Sequence, residues 1–219
     1  RVTVGTVVQP QFGEVVMLRR SFKKHSSESN RFLVVGLGNP GKDYDGTRHN
    51  VGAAAVQALG IAQDSPLKKL REQALTNEIF IGSERVILAF PQTFMNNSGQ
   101  SVSALMRKNG IKNPENLIVV HDEMDLPTGD LRIKSGGGLA GHNGLKSITA
   151  HLKTQDYLRI RIGVGKPANK NKGANYVLNR PNKVEQEELS IVIQETVDAI
   201  EAIISEGIDV AMARFNSRS

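Results

Sequence analysis

Short apolar runs separated by polar, glycine-rich loops, with helical periodicity between them, set the outline of this chain. Phe32-Leu33-Val34-Val35 is continuously apolar up to Gly36, as strands buried on both faces are. Asn50–Leu59 predicts a helix stopped by Gly60, and 61–73 reads as a polar connection carrying Lys68, Lys69 and Arg71. Glu78–Ile81 and Val86–Phe90 predict an antiparallel pair across the Gly82-Ser83-Glu84 turn. Val102, Leu105 and Met106 share a helical face behind a cap at Asn97 or Ser98, and Asn109-Gly110 ends that helix. Leu117–Val120 predicts a second buried strand that delivers His121 and Asp122 at its C-terminal end. Leu131–Lys134 and Leu158–Val164 alternate polar and apolar, as half-exposed strands do. Between them a glycine-rich loop leads into a helix with Leu145, Ile148 and Leu152 on one face. The capping box Asn182-Lys183-Val184-Glu185 opens a long last helix striped by Leu189, Ile193, Val197, Ile200 and Ile204. There is no internal repeat. Strands alternating with helices predict an α/β fold: a three-layer single domain with a mixed, mostly parallel central sheet flanked by helices.

Composition adds boundaries. At 219 residues the chain suits one domain, read here as 31–217. Residues 1–30 lack periodicity, end in Lys23-Lys24-His25-Ser26-Ser27-Glu28-Ser29, and read as a poorly ordered extension. A remnant of a targeting segment and an over-long translation start (with Met17 an internal candidate) both fit. No apolar run approaches the ~18 residues of a membrane span. The absence of cysteine excludes a disulfide framework and suits an intracellular protein. Bacterial cytoplasm is the default location, with a plastid or mitochondrion the alternative. The net charge of +6 is unevenly placed. Residues 131–172 hold nine Lys/Arg against Asp156 alone, whereas 173–219 hold four against eight acids. A basic stretch beside an acidic helix makes a one-sided field suited to a polyanion.

The chemistry-bearing stretches are Gly36–Asn50, Phe94-Met95-Asn96-Asn97, His121-Asp122-Glu123 and Gly136–Asn143. Gly36-x-Gly38-x-x-Gly41 matches a dinucleotide fingerprint, but no helix opens inside it and no ribose-binding acid ends a second strand some ~20 residues later. Gly136-Gly137-Gly138 is either a connection or a phosphate cradle, and it lacks the Gly-Lys-Ser/Thr of a P-loop. For a metal, His49, His121, Asp122, Glu123 and His142 lack helical ligand spacing, and His121 and Asp122 alternate across a strand. No cofactor is expected. What survives is a metal-free, water-activating pair: a histidine base whose far nitrogen is held by a carboxylate, Asp122 first and Asp125 second. Asn39, Asn96 and Asn143 supply neutral donors for a carbonyl or its oxyanion. Hydrolysis of an activated acyl bond without a covalent intermediate fits this set.

The stretches GLGNPGKDYDGTRHNVG, PQTFMNNSG, HDEMDLPTGDLRIKSGGGLAGHNGL and LRIRIGVG, in this order and spacing, resemble the bacterial-type peptidyl-tRNA hydrolase family from about Arg31 to Asn216. The resemblance implies a monomeric enzyme that frees tRNA from prematurely released peptides, its partner being peptidyl-tRNA and no membrane. Through it, His49 corresponds to the general base and Asp122 to its stabilising carboxylate. Asn39 corresponds to the residue that tells an N-blocked ester from a free aminoacyl ester, and Asn96 to the one that polarises carbonyl and water. Tyr44, Phe94 and Asn143 correspond to substrate contacts, and His142 lies on the loop that gates the cleft. Lys134 and Arg161 correspond to a clamp for the tRNA 5′-phosphate. The chain departs from the pattern in its N-terminal extension and at Asn179, where a glycine is usual. The same fold also serves as a catalytically silent scaffold in organellar intron splicing, which makes an RNA- or protein-binding role the second reading.

Overall fold

The computed structural model describes residues 30–167 and 173–217, so the extension read at 1–30 lies, apart from Asn30, outside the described residues. The strands form one sheet: β1 (Arg31–Gly36), β2 (Lys69–Arg71), β3 (Ala74–Ile81), β4 (Glu84–Pro91), β5 (Leu117–Glu123), β6 (Leu131–Ser135) and β7 (Leu158–Gly163). Their order is β2-β3-β4-β1-β5-β7-β6. The central strands β4, β1, β5 and β7 pair in parallel, and β2, β3 and β6 add antiparallel ladders at the two sides. The helices are α1 (Val51–Ala62), α2 (Ser98–Lys108), α3 (Asn143–Leu152), α4 (Gly173–Leu178), α5 (Lys183–Glu206) and α6 (Ile208–Phe215).

Strand alternation splits the core in two. Val34, Ile118 and Val120 pack with α1, α5 and α6 on one face, while Leu33, Val35, Leu117 and Val119 pack with α2 and α3 on the other. Each fully buried aliphatic side chain contributes ~1.5–3 kcal/mol. The chain leaves β1 toward the first face and β4 toward the second. A crevice therefore opens at the carboxyl ends of the parallel strands, where α/β sheets bind ligands. Two glycines let α1 reach into it: a Cβ on Gly52 would stand 2.2 Å from the Val120 carbonyl oxygen, and one on Gly36 would stand 2.3 Å from that of Gly52.

Several expectations need correction. Gly60 does not stop α1, which runs through it to Ala62. It is a packing glycine, because a Cβ there would meet Leu67 and the Ser65 carbonyl at 2.7 and 2.9 Å. The connection 61–73 contains an edge strand, β2, and β3 begins at Ala74, four residues before the apolar run shows it. β5 continues through Glu123, so His121 and Asp122 lie within the strand. β7 is buried, not half-exposed, with Arg159 only 2% exposed. The long helix opened by the capping box is α5, which ends before Gly207, and a short helix that the sequence reading did not include, α6, follows it. The turn in question at Asn179 needs no glycine, since Asn179 is not among the residues with positive φ. The capping box at Asn182 and Glu185 forms in both directions.

Candidate active site

Four loops converge on the carboxyl ends of β1, β4 and β5. They line a cleft of about 510 Å³ whose walls include Asn39, His49, Asn96, Asp122, His142 and Asn143. His49 sits on a 3-10 turn, Arg48–Asn50, immediately before α1. Its neighbours in sequence do the anchoring. Arg48 is 6% exposed; it donates to the carbonyls of Tyr176, Asn179 and Arg180, pairs with Glu185 at 2.6 Å, and covers the Tyr176 ring at 4.2 Å. Asn50 donates to the Asn39 carbonyl and accepts the Asn39 N–H, both at 2.9 Å. Between these two anchors, His49 is free to serve chemistry.

His49 Nδ1 lies 2.8 Å from Asp122 Oδ1. A carboxylate oxygen only accepts, so Nδ1 carries the proton and Nε2 keeps its lone pair. His142 Nε2 meets the same Oδ1 at 3.0 Å. The tautomer of His142 follows from its place as the cap of α3: Nδ1 accepts the N–H groups of Gly144 and Leu145, which leaves the proton on Nε2. Asp122 is 4% exposed, and burial alone would raise its pKa. The neighbouring His142 and His49, and the hydrogen bonds from both rings, override this and hold the carboxyl well below its ordinary range. The site therefore contains one ionised carboxylate receiving two imidazole N–H donors. Among the described residues, the ligand atoms of His49, Asp122 and His142 also lie within 4.8 Å of one another, close enough to surround a cation. Both gaps to Oδ1 are hydrogen-bond lengths, however, and the two nitrogens facing it are protonated in the tautomers just derived.

His121, on the opposite face of β5, donates from Nδ1 to the Asp122 carbonyl at 2.7 Å and meets the His142 ring edge-on at 5.0 Å. Burial above all, then His142, lowers its pKa to about 3, against the raising influence of Asp122; Arg159 lowers it further. His121 is thus neutral in the fold, whereas the unfolded chain protonates it below about 6.5. The unfolded state then binds the extra proton, so stability is lost as pH falls from about 6.5 toward 3, by up to ~1.4 kcal/mol per pH unit from this residue. Urea unfolding at stepped pH should show that limb flattened in His121→Phe. Parallel curves for the two proteins would assign the acid sensitivity to other groups.

The other candidate residues separate into two places. Asn39, 6% exposed, accepts the Met95 N–H on Oδ1 at 2.8 Å, which fixes its amide and leaves Nδ2 as the donor it can offer a ligand. Asn96, Phe94 and Asn143 are exposed on the cleft walls. Tyr44 is not on those walls but packs edge-on against Phe94, centroids 6.3 Å apart. Asp125, the second choice for the base's partner, instead pairs with Lys166 at 2.6 Å. Lys134 and Arg161 lie outside the cleft, in a separate pocket of about 180 Å³. The glycine loop turns the carbonyls of Gly137 and Gly138 toward the Arg159 guanidinium, at 2.8 and 2.7 Å. Sequence reading missed the α4 wall (Gly173, Ala174, Val177 and Leu178), because six residues carry too little periodicity to reveal a helix. It also missed Arg48, whose position beside His49 was the available signal.

The family model for peptidyl-tRNA hydrolase matches residues 33–219. The chain is 43% identical over 190 residues to the peptidyl-tRNA hydrolase of Pseudarthrobacter chlorophenolicus, covering 86% of this chain and 96% of that one. It is 42% identical over 186 residues to that of Listeria monocytogenes, covering 85% and 99%. The crystal structure of peptidyl-tRNA hydrolase from Acinetobacter baumannii superposes with a TM-score of 0.81 at 35% identity, covering 86% of this chain and 96% of that one. Sequence, fold and the order of the site-bearing stretches agree: this chain belongs to the peptidyl-tRNA hydrolase family.

Proposed function

We propose that this chain cleaves the ester between an N-blocked peptide and the 3′-terminal ribose of tRNA, with water as the nucleophile and no covalent intermediate. The observation that carries the mechanism is the His49 Nδ1–Asp122 Oδ1 contact of 2.8 Å on the wall of the asparagine-lined cleft. Water adds to the ester carbonyl as His49 Nε2 takes its proton, and the ionised Asp122 stabilises the imidazolium that forms. Asn96 donates to the developing oxyanion. When the tetrahedral intermediate collapses, the ribose oxygen leaves with the proton returned by His49. Asn39 Nδ2 offers a donor to the peptide carbonyl that an N-blocked substrate has and a free aminoacyl ester lacks. Phe94, backed by Tyr44, with Asn143 and His142, lines the path of the peptide and the CCA end.

Lys134 and Arg161 are assigned to the tRNA 5′-phosphate, within the basic 131–172 stretch. Lys134→Ala and Arg161→Ala should weaken binding to all tRNAs alike and flatten the salt dependence, by a slope of about 1 for each phosphate contact removed. An unchanged slope would remove the two residues from the phosphate site. We further assign the chain to action as a monomer, with 31–217 as its catalytic domain, in a cytoplasm of the bacterial type. An organelle is the alternative that the role of residues 1–30 would decide. No helix among the described residues is long and apolar enough to cross a membrane.

The test is release of tRNA from N-acetyl-aminoacyl-tRNA by the pure protein, with and without EDTA. Chelator-resistant turnover is the expected result. Turnover abolished by EDTA and restored by a divalent cation would convert the His49–Asp122–His142 trio into a metal site. Absence of turnover from folded protein would favour the binding scaffold.

A further inference from the structure

The turn that carries His49 and the connection that follows α4 are clasped by two arginines reaching in opposite directions. Arg48 donates from Nη1 to the carbonyls of Tyr176, Asn179 and Arg180 at 3.5, 3.2 and 3.3 Å, and its backbone N–H meets the Asn179 carbonyl. Arg180 reciprocates, donating to the carbonyls of Asp45 and Lys42 at 3.0 and 3.5 Å. The two differ in depth. Arg180 is exposed, whereas Arg48 is buried, pairs with Glu185 at 2.6 Å and lies over the Tyr176 ring. What they hold is α4. It is six residues long, and a helix shorter than about 12 residues is marginal on its own in water. The last carbonyls of a helix lack partners within it, and the cation of Arg48 meets that of Tyr176 from 128 residues away in sequence. The Tyr176 hydroxyl, donating to the Val164 carbonyl at 2.8 Å, ties the same helix to the end of β7.

The cleft face of α4 gives this clasp a use. Gly173, Ala174, Val177 and Leu178 recur at helical spacing and, with Met124, form an apolar wall of the cleft that also contains His49 and Asn39. Leu178 is a large apolar side chain left exposed there. As a source of stability the clasp is poor. A buried ion pair contributes little net, and Arg48 Nε is buried without a hydrogen-bond partner among the described residues. What it supplies is geometry, since one residue joins the apolar wall to the turn of the base. We propose that Arg48 is a positioning residue for the hydrolysis: it seats α4 beside His49, and the seated wall receives an apolar side chain of the acyl group. This deepens the reading of the chain as a peptidyl-tRNA ester hydrolase and rests on it. Lysine cannot replace Arg48. An ammonium keeps the charge opposite Glu185, but it has no fork to span three carbonyls and no plane to lie over Tyr176. His49 keeps its place in such a variant through Asn50, bonded twice to the Asn39 backbone, and through Asp122.

The experiment measures kcat and KM of the full chain for N-acetyl-leucyl and N-acetyl-glycyl esters of one tRNA body, so that only the acyl group differs. Wild type should have the lower KM for the leucyl ester, because glycine brings no side chain to the wall. Leu178→Ala should raise the leucyl KM about tenfold, the loss expected of one truncated apolar contact, and leave the glycyl KM and both kcat values in place. Arg48→Lys should do the same, with an unchanged pH profile of kcat. In the double variant the second substitution should add little, since both remove the same wall. Glu185→Gln, which keeps an acceptor for the Asn182 N–H but loses the charge, should shift the leucyl KM in the same direction, and it carries the test if Arg48→Lys does not fold. Equal KM values for the two esters in wild type, or an unchanged leucyl KM in Leu178→Ala, would overturn the proposal. So would an Arg48→Lys variant that lowers kcat alike for both esters, or one that melts earlier yet keeps wild-type selectivity. Independent, multiplying losses in the double variant would overturn it too. Absence of turnover of either ester by folded wild type would remove the hydrolase reading and this proposal with it, whereas turnover with an unshifted selectivity removes this proposal alone.

Discussion

His49→Ala is expected to fold normally and to lose turnover by ~10²–10⁴, the usual contribution of a general base. The fold should tolerate the change because the turn that carries His49 is held by its neighbours. Arg48 grips the carbonyls of Tyr176, Asn179 and Arg180 together with Glu185, and Asn50 is bonded twice to the Asn39 backbone. Among the described residues, the hydrogen-bond partner that His49 serves is Asp122, which keeps its second donor, His142. The loss should appear in kcat, with KM nearly unchanged, since the cleft walls that hold the peptide stay in place. Single-turnover release of tRNA from N-acetyl-aminoacyl-tRNA, alongside thermal melting, measures both. A well-folded variant with near wild-type kcat would take His49 out of the chemistry.

Asp122→Asn should cost a comparable ~10²–10⁴ in kcat, for a different reason. The amide keeps the shape of the carboxylate, and its oxygen can still accept from His49 and His142. What disappears is the negative charge, held here in a side chain only 3% exposed, that would favour the imidazolium formed in the transition state. The amide's own N–H groups also allow His49 the wrong tautomer, with Nε2 protonated and useless as a base. Asparagine is the informative replacement. Alanine would leave two imidazole N–H groups without their partner in a buried setting, at ~1–3 kcal/mol each, and would confound stability with chemistry. If Asp122→Asn retains more than about a tenth of wild-type kcat, which is below the smallest loss expected of general-base chemistry, the charge is not needed and Asp122 only positions His49.

Much of this was legible from residue order. The continuous apolar runs at Leu33–Val35 and Leu117–Val120 marked the two central parallel strands, and the stretches that end or follow them carry the cleft. The misreadings share one cause. Alternation in Leu158–Val164 looked like a wet face, yet Arg159 is buried, because the carbonyls of Gly137, Gly138 and Gln155 take the place of water around its guanidinium. Gly60 looked like a stop, yet it is where Leu67 and Ser65 come close to α1. In each case a partner distant in sequence or across a turn, invisible to local pattern, reversed the local preference.

The sequence by itself determined the kinds of groups available: a histidine at a helix start, a carboxylate near a strand end, three amides and a basic stretch. Those followed from composition, spacing and family likeness. Only the tertiary structure decided which of them meet. His49 and His142, 73 and 20 residues from Asp122, share one of its oxygens. They do so because β1 and β5 pair in parallel register, Gly36 beside Val120, and two glycines let α1 close on that pair. Neighbouring residues of β5 serve different sites for the same reason. Successive side chains of a strand point to opposite faces, so Asp122 joins the cleft while His121 joins the basic pocket.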